Sequence, residues 1–146
     1  MLGAGGAVRG VLDDLAEAGV TQIDVLNRTH ARAVALEERF RCVRAVKPGR
    51  VGEPYDVIIN GTSTGLTGEA PAIPSGAVGD ATVGYEMVYG PKDTPFMADL
   101  RERGAAQVVD GLGMLVEQAA RSFEIWTDAR PATAPVIADL RKALGY

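Results

Sequence analysis

Apolar residues Val8, Val11, Leu12 and Leu15 recur at the i, i+3, i+4, i+7 spacing of one helical face, and Gly19 stands where such a helix would stop. The spacing predicts a helix from about Gly6 to Ala18. The next run, Ile23-Asp24-Val25-Leu26, is β-prone, and Thr29 is a candidate N-cap for a second helix that would bury Ala33, Leu36 and Phe40. A weaker strand is expected at Val43 to Val46, followed by a Pro/Gly loop. Tyr55-Asp56-Val57-Ile58-Ile59 is apolar enough to read as a central parallel strand buried on both faces. Gly61 to Gly79 is rich in Gly, Pro, Ser and Thr and reads as a long loop, with another strand around Ala81 to Met87. Thr94-Pro95 is a helix start, Phe96, Met97 and Leu100 its apolar face, and Gly104 its stop. A strand around Gln107 to Val109 and helices at about Gly113 to Trp126 and Ala134 to Leu144 complete the pattern. Strands alternating with helices predict an α/β domain, a three-layer αβα arrangement of Rossmann type around a mostly parallel sheet. The glycine cluster at Gly3 should follow a central strand, yet only Met1 and Leu2 precede it, so the first strand is expected to be truncated.

Composition narrows the functional classes. A chain of 146 residues with 47% hydrophobic and 23% charged residues is one globular domain, not a disordered segment. Lys plus Arg total 15 against 19 Asp plus Glu, a net charge of −4 with no basic block, which argues against nucleic-acid binding through phosphate neutralisation. Cys42 is the only cysteine, so an internal disulfide and a cysteine metal cluster are excluded, and a reducing cytoplasm fits. No apolar run approaches the roughly 18 residues of a membrane span, and the first ten residues carry glycines and Arg9 in place of a signal core. A soluble protein with no membrane partner is expected.

The candidate chemistry lies in short motifs. Gly3-Ala4-Gly5-Gly6-Ala7 opens the first helix, where small residues let a pyrophosphate approach the backbone and the helix N-terminus stabilises its charge. The third small position of the dinucleotide pattern is Val8, bulkier than the rule asks, so a bare glycine-rich turn is the competing reading. About 20 residues further on, where NAD-binding domains place a carboxylate for the ribose diol, stands Asn27-Arg28-Thr29. Arg28, with Arg32 one turn later and the Thr29 helix start, suits a 2′-phosphate, which points to NADP. His30, the single histidine, has no Ser or Cys motif around it, so a hydrolase triad is not supported and an exposed helix-start residue is expected. No ligand spacing supports a metal site.

Taken in order, Gly3-Ala4-Gly5-Gly6-Ala7, Asn27-Arg28-Thr29 with Arg32, Ile59-Asn60-Gly61-Thr62-Ser63, Tyr89-Gly90-Pro91 with Thr94-Pro95, and Asp110-Gly111-Leu112-Gly113-Met114-Leu115-Val116-Glu117-Gln118-Ala119 resemble shikimate dehydrogenase. The resemblance covers essentially the whole chain, 1–146, and implies a single NADP-binding domain, the C-terminal half of such an enzyme. It implies that the glycine loop holds the pyrophosphate, that Arg28 and Arg32 clamp the 2′-phosphate, and that Thr62, Ser63 and Met87 lie by the cofactor. Gly111 and Met114 would line the nicotinamide, Tyr89 would stand beside the substrate, and Gln118 would hydrogen-bond a substrate hydroxyl. Two departures stand out: Gly61 replaces the family's usual Ala, and Glu86 replaces its common Asp before Met-Val-Tyr, which puts the carboxylate one methylene out. Met114 and Gln118 share a helix face, and Leu115, Ala119, Phe123 and Trp126 form an apolar stripe expected to anchor that helix.

The resemblance also implies that the catalytic lysine and aspartate lie in an N-terminal domain ahead of the glycine loop. Lys47, Lys92 and Lys142 are this chain's lysines, and none lies in that motif, so no catalytic residue is assigned here. The leading reading is the cofactor part of an NADP-dependent reductase of 3-dehydroshikimate, in aromatic amino acid (chorismate) biosynthesis, carrying part of the shikimate site and inactive by itself. The alternatives are a stand-alone, non-catalytic NADP-binding module and a methyltransferase-like domain, the latter disfavoured because it too wants a carboxylate after the second strand. A truncated first strand would leave two inner edges unpaired, so low stability or aggregation is expected of the chain as written.

Overall fold

The computed structural model describes residues 1–49, 52–64 and 69–146. Along the described chain the elements run α1 (Gly6–Glu17), β1 (Ile23–Leu26), α2 (His30–Glu37), β2 (Val43–Val46), β3 (Val57–Asn60), β4 (Val83–Glu86), α3 (Pro95–Glu102), β5 (Gln107–Val109), α4 (Leu112–Thr127) and α5 (Thr133–Leu144). β1 pairs in parallel with β2, and β3, β4 and β5 form a second parallel group in that order. The expected α/β, mostly parallel architecture is the one observed. Within the expected loop from Gly61 to Gly79, described residues 61–63 and 69–79 carry neither strand nor helix, and 65–68 lie outside the described residues.

The first strand is reduced to Leu2, which bridges both groups, lying parallel to Leu26 on one side and Asn60 on the other. Leu2 N donates to Ile59 O at 2.8 Å and Gly61 N to Leu2 O at 2.9 Å, while Gly3 N donates to Leu26 O at 2.8 Å and Leu26 N to Met1 O at 2.9 Å. The expectation of unpaired inner edges is therefore corrected at these positions. Three residues suffice because backbone groups of successive residues in a parallel ladder point alternately to the two neighbours, Leu2 serving the β3 side and Met1 and Gly3 the β1 side.

Core packing follows the same alternation. Val8 and Leu12 of α1, Ile23 and Val25 of β1, and Ala33, Leu36 and Phe40 form one buried cluster, with Met1 against it. Leu2, Ile58, Phe96, Met97, Leu100 and Val108 form the other. Met1 and Leu2 thus contribute to different clusters, as successive strand residues must. The strand expected from Tyr55 begins only at Val57, and Val57 is 49% exposed, so β3 is not buried on both faces along its length. Tyr55 works instead as a polar tie: its hydroxyl donates to Asp24 Oδ2 at 2.8 Å.

Asp24 is buried in β1 and also accepts from Arg44 Nε and Nη2 at 2.9 and 2.6 Å. Burial by itself raises the Asp24 pKa, but the hydrogen bonds from Arg44 and Tyr55 outweigh it and hold the carboxyl below its ordinary range. Burial and the same bond push the Tyr55 hydroxyl up to about 12. A depressed folded-state pKa contributes stability that is present above the unfolded value of about 3.9 and is lost as pH falls through the folded value. Asp24→Asn should therefore be less stable than the unsubstituted chain at pH 7, with the gap closing below about pH 4. Thermal melts of both across pH 7 to pH 3 check this, and a gap independent of pH would contradict it.

Candidate functional site

The glycine turn leaves the sheet directly after Leu2. Gly3 has φ +99°, and a Cβ there would stand 3.0 Å from Gly61 O and 3.2 Å from Thr62 Cγ2, so both conformation and contact demand glycine. Ala4 is buried and Ala7 exposed. Gly5 caps α1 without any side-chain bond, and a Cβ on Gly5 or Gly6 would meet nothing within 4 Å. The N-terminal N–H groups of α1 consequently open onto free space, the arrangement that favours an anion.

Gly3 N bonds Leu26 O, which sets Asn27 and Arg28 one strand over from the turn. Asn27 Nδ2 donates to Thr29 O at 2.8 Å, fixing the bend into α2. Thr29 is the N-cap residue but makes no side-chain cap bond, so donors of this helix start are also open. Arg28 and Arg32 are exposed, and neither has an ion-pair partner among the described residues. His30, expected to be exposed, is half-buried, with Nδ1 enclosed and without a hydrogen-bond partner.

At the ends of β3 and β4 two fully buried polar residues, Asn60 and Glu86, were not singled out from the sequence as a pair. Their signal was an amide and a carboxylate terminating otherwise apolar strands. Asn60 Nδ2 donates to Glu86 Oε2 at 2.9 Å, Thr94 Oγ1 donates to the same oxygen at 2.8 Å, and Val88 N donates to Oε1 at 3.2 Å. The longer Glu86 side chain is thus fully used, and its carboxylate is seated among donors. Thr62 donates to Asn60 Oδ1 from its N–H at 3.1 Å and its hydroxyl at 2.7 Å. Ser63 is exposed. Thr94, as expected, also caps α3, accepting from Met97 N.

Met87 joins the strand ends to α4. A Cβ on Gly111 would stand 2.2 Å from Met87 O, and a Cβ on Gly61 3.1 Å from Met87 Sδ. Gly3, Thr62, Met87 and Gly111 are thereby brought together, with Met114 half-buried on the first turn of α4. Tyr89 is 43% exposed. Gln118 is exposed and donates to Leu115 O of its own helix at 3.1 Å. The expected anchoring stripe is corrected: α4 buries Leu112, Val116 and Ala120, whereas Phe123 and Trp126 are 47% and 80% exposed. The two stripes are offset by one position, which periodicity cannot resolve. Asp110, another buried carboxylate, accepts from Arg141 Nη2 at 2.8 Å and from the Tyr146 hydroxyl, tying the end of α5 to the start of α4.

The described residues contain no group of three or more potential metal ligands, and no described helix is long and apolar enough to cross a membrane. Residues 111–141 match the family profile of the shikimate 5′-dehydrogenase C-terminal domain. A shikimate dehydrogenase (NADP(+)) of Alkalilimnicola ehrlichii is 52% identical over 144 residues, 97% of this chain and 53% of that protein. The chain is related to the C-terminal part of shikimate dehydrogenases. It spans about half the length of the curated relatives it matches. An Ael1 enzyme from Pseudomonas putida has the same fold at TM-score 0.88 and 40% identity, covering 95% of this chain and 52% of that one. Shikimate 5-dehydrogenase of Thermus thermophilus, in complex with NADP(H) and shikimate, gives TM-score 0.80 at 35% identity over 98% of this chain and 54% of that one.

Val8, a departure from the dinucleotide pattern, and Gly61, a departure from the family's usual Ala, explain each other. A Cβ on Gly61 would lie 2.5 Å from Val8 Cγ2, so the extra methyl of Val8 occupies the space that an alanine at 61 would need. Gly61→Ala should cost about 1–3 kcal/mol by overpacking. Adding Val8→Ala should recover part of that loss, so that the double variant is more stable than the sum of the two single effects by roughly 0.5 kcal/mol or more. Denaturant unfolding of the four proteins measures the coupling, and strict additivity would refute the pairing.

Proposed function

We propose that this chain is a single NADP-binding domain serving NADP-dependent reduction of 3-dehydroshikimate to shikimate, the activity after which its relatives are named. The observation that carries the reading is the open N-terminus of α1 beside Arg28 and Arg32, with Asn27 where an NAD-selective site would hold a carboxylate. The residues present fit the cofactor: the space over Gly5 and Gly6 admits a pyrophosphate, and two guanidinium groups without an ion-pair partner among the described residues flank a second open helix start. When bound, NADPH supplies the hydride. Gly3, Ala4, Gly5, Gly6 and Ala7 carry the diphosphate, and Asn27, Arg28, Thr29 and Arg32 the adenosine 2′-phosphate. Thr62, Ser63, Met87, Gly111 and Met114 flank the nicotinamide half.

Tyr89 and Gln118 are assigned to the substrate. Gln118 spends one N–H on Leu115 O, and its second N–H and its Oε1 remain to donate to and accept from a hydroxyl. Proton transfer to the developing alkoxide is assigned to no residue of this chain, so the complete reaction needs groups beyond 1–146. The single cysteine, Cys42, supports a reducing cytoplasm as the setting.

Fluorescence titration tests cofactor choice. Arg28→Ala should weaken NADPH binding roughly 10- to 150-fold, the loss of one charge-assisted partner at about 1.5–3 kcal/mol, and leave NADH binding nearly unchanged. Equal affinity of the unsubstituted chain for both nucleotides would overturn the assignment. Turnover is the second test: with saturating shikimate and NADP, pure chain should form no NADPH while still binding it. Sustained formation would put the proton-transfer group among the residues described above.

A further inference from the structure

We infer that a cavity along the outer edge of β5 is a second anion site, built for a small phosphate monoester and separate from the dinucleotide groove. The cavity has a volume of about 300 Å³ and lies between β5, the segment at Gly90 to Asp93, and the end of α5. Such a volume falls at the small end of ligand pockets. β5 is the last strand of its group, and β1, which leads into Arg28, belongs to the group across Leu2. The two sites therefore stand on different parts of the sheet.

Charge determines the ligand class. Lys92, Arg101 and Arg141 line the cavity against the carboxylates of Asp93 and Asp110. Arg101 Nε donates to Asp93 Oδ2 at 2.8 Å and its Nη2 to Val108 O at 3.4 Å, while Arg141 spends Nη2 on Asp110 Oδ1 at 2.8 Å. Each guanidinium has five N–H donors, so most of both forks remain available. Lys92 pairs with no carboxylate among the described residues. The wall is also fixed in place: the Tyr146 hydroxyl accepts from Gly90 N at 2.7 Å and donates to Asp110, and the Arg141 guanidinium lies 4.7 Å over the Tyr146 ring. Three cations against two carboxylates leave one positive charge and a surplus of donors. A phosphate monoester, with three acceptor oxygens, matches that surplus of donors better than a carboxylate with two.

The test is an amide-resolved NMR titration of the whole chain with glycerol 3-phosphate, with inorganic phosphate and acetate in separate arms. Saturable shifts at Gly90, Lys92, Gln107 and Val109 are expected with both phosphates. Lys92→Ala, an exposed position whose removal leaves the fold intact, should weaken them about tenfold or more, and Arg28→Ala should leave them unchanged. Arg101→Lys, which keeps the charge and loses the fork, should weaken them as well. Shifts confined to Gly5, Gly6 and residues 28–32, shifts that do not saturate, or insensitivity to Lys92→Ala would overturn the site. Equal response to acetate would overturn phosphate as its ligand. Loss of NADPH binding in Arg28→Ala with these shifts intact keeps this inference distinct from the cofactor assignment.

Discussion

Backbone pairing by Met1, Leu2 and Gly3 is the constraint on which the rest depends. Among the described residues, β1 with β2 and β3 with β4 and β5 are separate ladders, and Leu2 is the position bridged to both. Leu2 gives its N–H and its C=O to the β3 side, while Met1 O and Gly3 N serve Leu26 on the β1 side. A slip of one residue would exchange these roles and move Leu2 out of the cluster it shares with Ile58 and Leu100. Because Gly3 N is fixed on Leu26 O, the height at which the chain turns into α1 is fixed too. The glycine turn, the end of β1 and the end of β3 are thus aligned by the same few bonds that unite the sheet.

A second layer of order is polar. A buried carboxylate is costly unless its oxygens are satisfied, and Glu86 meets that condition through Asn60, Val88 and Thr94. Asn60 in turn accepts two bonds from Thr62. The chain of contacts from Thr62 through Asn60 and Glu86 to Thr94 ties the end of β3, the end of β4 and the first turn of α3 into one unit. Tyr89 lies inside the segment this unit brackets. Asp110 does the same further along, holding α4 and α5 through Arg141 and Tyr146. Specific geometry at the strand ends therefore rests on buried acids, with the aliphatic clusters supplying the bulk of the burial below them.

Much of this was legible in the sequence because it is local. The α1 face at Val8 and Leu12, the strand Ile23 to Leu26, and the Thr94-Pro95 start of α3 each follow from residues within a turn or two of one another. Long-range pairings were not legible. Asp110 finds Arg141 and Tyr146 at separations of 31 and 36 residues, and Tyr55 finds Asp24 at 31. Helix α4 carries apolar residues on two adjacent stripes, so its sequence does not distinguish Leu112, Val116 and Ala120 from Leu115, Phe123 and Trp126; contact with the sheet makes the choice. Val8 and Gly61 each read as a departure from pattern, and become a matched pair only when the packing sets them side by side.

The glycines at the strand ends separate into two kinds, and the distinction bears on what the site is for. Gly3, Gly61 and Gly111 are demanded by the protein itself: a Cβ would meet Gly61 O, Val8 Cγ2 and Met87 O respectively, and Gly3 has a positive φ besides. The missing side chains let backbone pack on backbone at Gly3 and Gly111 and let the Val8 side chain pack on the backbone at Gly61. Gly5 and Gly6 are different. Gly5 has φ −83°, open to any residue, and a Cβ at either position would touch nothing. Neither conformation nor packing within the chain requires glycine there, and glycine at the start of a helix is otherwise a loss of about 0.5–1 kcal/mol relative to alanine once inside it. What the missing side chains leave is bare N–H groups at a helix N-terminus, open to the close approach of the diphosphate proposed above, and the sign of the exposed dipole suits an anion.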